Sequence, residues 1–131
     1  MAGPGNRPRA VTLALLAFVA IAAGGVYLAH RLTARPAPLQ TVVLTMRDYT
    51  FNGTNPAFRF HVGDRVRFVV RNEEQTPIRH NFAIPDLGIP CEGEMEPGTI
   101  RHVFLTLKRP GTFEYICCTH RGMGGTLIVA R

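Results

Sequence analysis

Cysteine is scarce in this chain. Three residues in 131 are too few for a disulfide scaffold, and an odd number leaves at least one free or bound to something. No acidic side chain precedes Pro36, whereas four of the fifteen Lys and Arg do. The formal charge of +6 therefore belongs largely to the N-terminal segment. The remainder carries eleven basic against nine acidic side chains, a net charge of +2. That is an ordinary soluble surface, which excludes nucleic acid as a partner. There is no internal repeat and no low-complexity tract, and beyond residue 40 helical periodicity is missing. No nucleophile stands with a base and an orienting partner, so no catalysis is read from the chain.

What is present begins with an apolar run. Residues 10–29 are uncharged, with Arg7 and Arg9 before them and Arg31 and Arg35 after. Twenty residues at about 1.5 Å each match a bilayer core of ~30 Å. A cleaved signal would need small residues before the cut, but the available cuts place Tyr27 or Leu32 at the third position back. The expected organisation is a short basic N-terminus over 1–9, one retained transmembrane helix over 10–30, and a Pro-containing stalk over 31–40. The remaining residues, 41–131, form one domain. The near-balanced flanking charge gives little orientation.

In that domain, short runs rich in β-branched and aromatic residues are bounded by Gly, Pro, Asn or Asp, as strands are. They are "TVVLTM", "AFRFHV", "DRVRFVVRNEE", "IRHNFAI", "TIRHVFLTL", "GTFEYIC" and "GTLIVAR". Alternation is clear in the third, with Val66, Phe68 and Val70 on one face and Arg65, Arg67 and Arg71 on the other. Seven or eight strands in some 92 residues predict an all-β Greek-key sandwich with a single core.

Alternation also sorts the candidate ligands. Cys117 shares parity with Phe113 and Tyr115 and points inward, whereas Cys118 points away or opens the turn. His120 and Met123 follow, giving C-x2-H-x2-M at a strand end, in a loop loosened by Gly122, Gly124 and Gly125. His80 shares parity with Ile78, Phe82 and Ile84, on an inward face near another strand end. Two imidazoles, a thiolate and a thioether are the ligand set of a mononuclear trigonal copper site with a weak axial methionine. Zinc is the competing metal, but structural zinc sites show paired cysteine knuckles, and Met is a poor zinc ligand.

With "HNF", "GTFEYIC", His120 and Met123 before Gly-Gly and a last strand, residues 41–131 resemble the cupredoxins, the small blue copper proteins. The Cys-to-Met spacing is that of amicyanin. The resemblance implies one copper ion at a type 1 site held by His80, Cys117, His120 and Met123. It also implies single-electron transfer to cytochrome or oxidoreductase partners. The backbone N–H of Asn81 is expected to donate to the Cys117 sulfur, a bond that tunes potential. Cys118 and Thr119 stand where the family usually has Thr or Ser and then often Pro, so the surroundings of the site are altered. The two bridging cysteines of an oxidase-type binuclear centre are missing, since Ile116 and Thr112 occupy their positions. No H-x-H pair supports a trinuclear centre.

The resulting expectation is a carrier, not an enzyme, anchored in a plasma membrane with its copper domain on the extracytoplasmic side. The alternative is a Cu(I) delivery or resistance protein, favoured by the additional thiols. Cys91 and Cys118 are expected near one end of the sandwich, as a disulfide or as accessory thiols. The resemblance brings the His120 ring edge to the surface, where Arg79 and Arg121 predict a weakly positive electron port. His61 and His102 are read as exposed strand histidines, "NGT" at Asn52 as a turn, and Glu92, Glu94 and Glu96 with Met95 as a solvated acidic loop.

Overall fold

The computed structural model describes residues 36–131 together with Val19, Ile21 and Gly25. The expected anchor over 10–30 lies outside the described residues except at those three helical positions. Among the described residues, no helix is long and apolar enough to cross a membrane.

Among the described residues, seven strands build two sheets. They are β1 (Leu39–Arg47), β2 (Thr50–Phe51), β3 (Ala57–His61), β4 (Arg65–Asn72), β5 (Ile100–Thr106), β6 (Gly111–Ile116) and β7 (Gly124–Ala130). One sheet has the order β2-β1-β4-β5 and the other β3-β7-β6. β1 runs parallel to β4, and β3 parallel to β7; the remaining pairs are antiparallel. β1 begins inside the expected stalk, because Leu39 and Gln40 already lie opposite Arg65 and Val66.

The two inner faces carry the core. Val66, Phe68 and Val70 are fully buried, as alternation predicts, and meet Phe60, Leu127, Val129, Phe113 and Tyr115 from the second sheet. Phe51, Phe68, Phe82 and Tyr115 form a chain of ring contacts with centroids 5.2–6.0 Å apart. Each such ring contributes about 1.5–3 kcal/mol through burial. The Tyr115 hydroxyl donates to the carbonyl of Pro56.

Two expectations change here. "IRHNFAI" is no ladder strand, since it pairs at His80 with Met95 and at Ala83 with Ile116, as isolated bridges. The segment crosses from one neighbour to another and is covered on both sides, so residues 80–84 are all buried and parity fails to sort them. Gly124 and Gly125 do not loosen a loop; they belong to β7. A Cβ on Gly125 would collide with the Tyr115 hydroxyl and stand 2.6 Å from the Pro56 carbonyl oxygen. These glycines let the last strand close over Tyr115.

Candidate metal centre

β6 ends at Ile116, and the chain then turns through residues 117–123 into β7. The turn is closed by two internal bonds, Cys117 N–H to the Met123 carbonyl at 2.9 Å and Met123 N–H to the His120 carbonyl at 3.2 Å. These bonds bring C-x2-H-x2-M into one compact strap. Cys117 and Met123 are buried, His120 is half-buried, and Cys118 is exposed, as the alternation of β6 requires.

The His80 segment supplies the opposite wall. His80 is wholly buried, and its Nδ1 lies 3.1 Å from His120 Nδ1 and 3.8 Å from Cys117 Sγ. Cys117 Sγ lies 3.5 Å from His120 Nδ1. One donor atom from each of His80, Cys117 and His120 thus falls within 4.8 Å of the others. Two nitrogen lone pairs and a sulfur converge on one point, with the Met123 thioether on the same strap. Together the four residues are arranged as a type 1 copper site for one ion. The donor set fits copper because sulfur suits Cu(I) while imidazole keeps Cu(II) acceptable.

The surroundings orient the donors. Glu74, which sequence reasoning missed, accepts from His80 Nε2–H at 2.8 Å through a carboxylate that is itself buried. That bond assigns the proton to Nε2 and leaves Nδ1 its lone pair. A signal was available: the inward parity of β4 runs on from Val66, Phe68 and Val70 to Asn72 and Glu74, both buried. The amide group of Asn72 donates to the carbonyls of Ile78, two residues before His80, and of Met95, the bridge partner of His80. Burial, reinforced by the facing His80, holds the His120 pKa below the ordinary histidine range, which favours a neutral, lone-pair-bearing ring.

Asn81 ties the two walls together. Its N–H donates to Cys117 Sγ at 3.4 Å, and its side-chain oxygen accepts from Cys118 N–H at 2.7 Å. Thr119 Oγ1 lies 3.3 Å from the same sulfur. Cys91 and Cys118 form a disulfide with Cα atoms 5.9 Å apart, leaving Cys117 as the free thiol.

Tyr49 is a second residue the sequence did not reveal. It occupies a two-residue turn between β1 and β2, where both Asp48 and Tyr49 have positive φ. Its ring meets His120 edge-on at 4.9 Å and His80 at 6.2 Å while staying half exposed. Positive φ is rare for an aromatic residue, so the pattern "RDYT" carries little turn signal.

The expected positive port is corrected. Arg79 is paired with Glu96 at 2.6 Å and Glu94 at 3.6 Å, and these acids line the same surface as Tyr49 and His120. The acidic loop therefore offsets the charge assigned to Arg79, leaving Arg121 exposed on the other flank. Met95 is buried in the core rather than solvated. His61 and His102 are exposed, and Asn52 lies in a turn at positive φ.

Among curated protein sequences, none matches this chain. Solved structures do resemble it. Copper nitrite reductase from Nitrosomonas europaea is 24% identical over 71% of this chain and 42% of its own, with a TM-score of 0.61. The chain thus spans less than half the length of that reductase. Auracyanin B is 20% identical over 75% of this chain and 94% of its own, at a TM-score of 0.58. An auracyanin from the photosynthetic bacterium Roseiflexus castenholzii is 19% identical over 72% and 99%, at 0.57. At such identities the likeness speaks for the fold. A family model for the cupredoxin-like domain matches residues 12–129, nearly the whole chain, and the chain belongs to that family.

Proposed function

We propose that the protein carries single electrons at one type 1 copper ion on the extracytoplasmic side of a membrane. The observation that carries this reading is the convergence of His80, Cys117 and His120 on one point, above a strap that also holds Met123. Bound copper would alternate between Cu(II) and Cu(I), passing one electron each way. The protein's part is to hold the donors still. Cys117 and His120 share a turn closed by its own backbone bonds, and His80 is clamped by Glu74 and by the Met95 bridge. A donor set that cannot relax needs little rearrangement on electron transfer. His120 is the only one of the four that reaches toward solvent, so its ring edge is the port through which a cytochrome or oxidoreductase partner exchanges electrons.

We read no enzymatic activity. The chain extends over almost the full length of the auracyanins but only a minor part of the nitrite reductase. The alternative, Cu(I) delivery, drew its support from two additional thiols, Cys91 and Cys118, which are paired with each other in the disulfide. Residues 10–30 are proposed to anchor the chain, with the copper domain outside.

The copper-loaded, oxidised protein is expected to show an intense thiolate-to-copper absorption band and a reversible one-electron wave. Cys117→Ser should abolish the band, because the thiolate is its donor, and Cys118→Ser should retain it. A colourless wild type, or a coloured Cys117→Ser variant, would overturn the reading. The anchor is checked by fractionation: a native protein that is recovered soluble and begins between residues 30 and 39 defeats it.

A further inference from the structure

The electron-carrier reading gives the Cys91–Cys118 disulfide no task, yet its placement is specific. Cys118 is the residue after Cys117, on the ligand strap. Cys91 lies in the segment that leaves the His80 wall at Ile84 and returns to it at Met95, through the Ile84–Ile89 and His80–Met95 bridges. The bond therefore links the His80 wall covalently to the strap bearing the other three donors.

The strap's other ties are non-covalent: Cys117 and Met123 are buried in the core, and the His120 ring meets Tyr49. The strap's two backbone bonds are internal and would survive if it swung out as a unit. Beyond its flanking strands and the contacts of Cys117 and His120 with His80 Nδ1, three polar ties that involve a backbone atom join it to the rest of the domain. They are Cys118 N–H to Asn81, Asn81 N–H to Cys117 Sγ, and a long bond of 3.4 Å from the Asn55 amide to the Gly122 carbonyl. Residues 118, 119, 121 and 122 are exposed. The disulfide is the only covalent tie, and it adjoins the Asn81 bond. Both its cysteines are exposed, whereas Cys117 is 3% exposed. A dithiol can therefore reach the bridge without reaching the metal thiol.

We propose that the Cys91–Cys118 disulfide is a thiol-cleavable strap that holds the ligand turn closed, and that its reduction by a dithiol protein of the C-x-x-C class opens the turn and speeds copper exchange. In the reaction a thiolate of the dithiol attacks one bridge sulfur, the S–S bond breaks, and a mixed disulfide forms. The second thiol of the reductant then displaces the protein sulfur. Two electrons and two protons pass from the dithiol to the bridge, giving two protein thiols and an oxidised reductant. Exposed bridges are the ones that take part in such exchange. An oxidised protein would hold its copper for electron transfer, and a reduced one would exchange it faster. The opening of the turn stands independently of the proposed copper function; only the effect on exchange rests on it.

The test uses the full chain in three forms: oxidised, reduced with thioredoxin, and Cys91→Ser, which removes the bridge from the side remote from the ligands. In the metal-free protein, hydrogen exchange of the Cys118 amide, which is bonded to Asn81, should quicken about tenfold or more without the bridge, while β4 amides stay protected. That β4 protection also shows that the variant is folded. In the Cu(I)-loaded protein, transfer to bicinchoninate should quicken about 10- to 100-fold, the usual cost of losing groups that orient metal ligands. Equal protection of the turn in all three forms overturns the strap. Faster amide exchange with unchanged Cu(I) transfer overturns its control of copper, and a bridge that thioredoxin leaves intact overturns its cleavability. A protein that takes up no copper defeats the copper reading, while the amide measurement still decides the strap.

Discussion

Glu74 shows how much one buried carboxylate contributes to the site. A buried polar group deprived of its partner costs about 1–3 kcal/mol, whereas a substitute that keeps the bond costs little. Glu74→Leu leaves His80 Nε2 facing an apolar wall at a wholly buried position. The expected result is a lower urea midpoint at unchanged slope, equivalent to about 1–3 kcal/mol. Glu74→Gln retains an acceptor oxygen and should recover most of that loss. Equal midpoints for the two variants would show that the hydrogen bond contributes little. The carboxylate was legible in the parity of β4, but two adjacent glutamates at a strand end read as solvent-facing until the chain is seen to turn back over His80.

At the scale of elements, the decisive contact is between β6 and β7. Tyr115 stands opposite Gly125 in the ladder, and its hydroxyl passes that position to reach Pro56. Gly125→Ala places a methyl group where the phenol lies, so Tyr115 or the strand must shift. Overpacking of this kind costs about 1–3 kcal/mol, and a thermal unfolding midpoint lowered accordingly is the expected outcome. An unchanged midpoint would mean that the ring has room to move. The strands themselves were legible from alternation. The His80 segment was not, because both of its faces are covered and its pairing changes partner between residues 80 and 83.

For the whole molecule, the same tyrosine sets an alkaline limit. Burial raises its pKa from the ordinary value of 10.0 to about 12, because the phenolate is disfavoured in the core. The fold therefore has the stability of the neutral phenol in full below pH ~10 and loses it as pH rises through about 12. Unfolding free energy should fall across that window, and Tyr115→Phe should flatten the fall; an equal fall in both proteins would locate the alkaline sensitivity elsewhere. Charge around the port gives a second expectation. With Arg79 held by Glu94 and Glu96, electron transfer to the anionic probe hexacyanoferrate should change less than about twofold with salt. Replacing both glutamates by Gln unmasks Arg79, so the rate should rise at low salt and fall as salt is added. If the double variant shows the same salt profile as the wild type, the pairing does not govern the port.

By itself the sequence determined what depends on local order. Period-two alternation in β4 and β6 decided which side chains face inward, since successive strand residues must point to opposite faces. The spacing of Cys117, His120 and Met123 decided that one turn carries three donors of copper type. Tertiary structure alone decided what depends on distant segments meeting. Glu74 becomes the partner of His80, Tyr49 covers two imidazoles from the far end of β1, and Arg79 is neutralised by acids fifteen and seventeen residues away. Pairing of Cys91 with Cys118 required the Ile84–Ile89 and His80–Met95 bridges to bring their Cα atoms within 5.9 Å. No residue spacing encodes such a separation, because it is set by how two sheets pack and where their connecting segments cross.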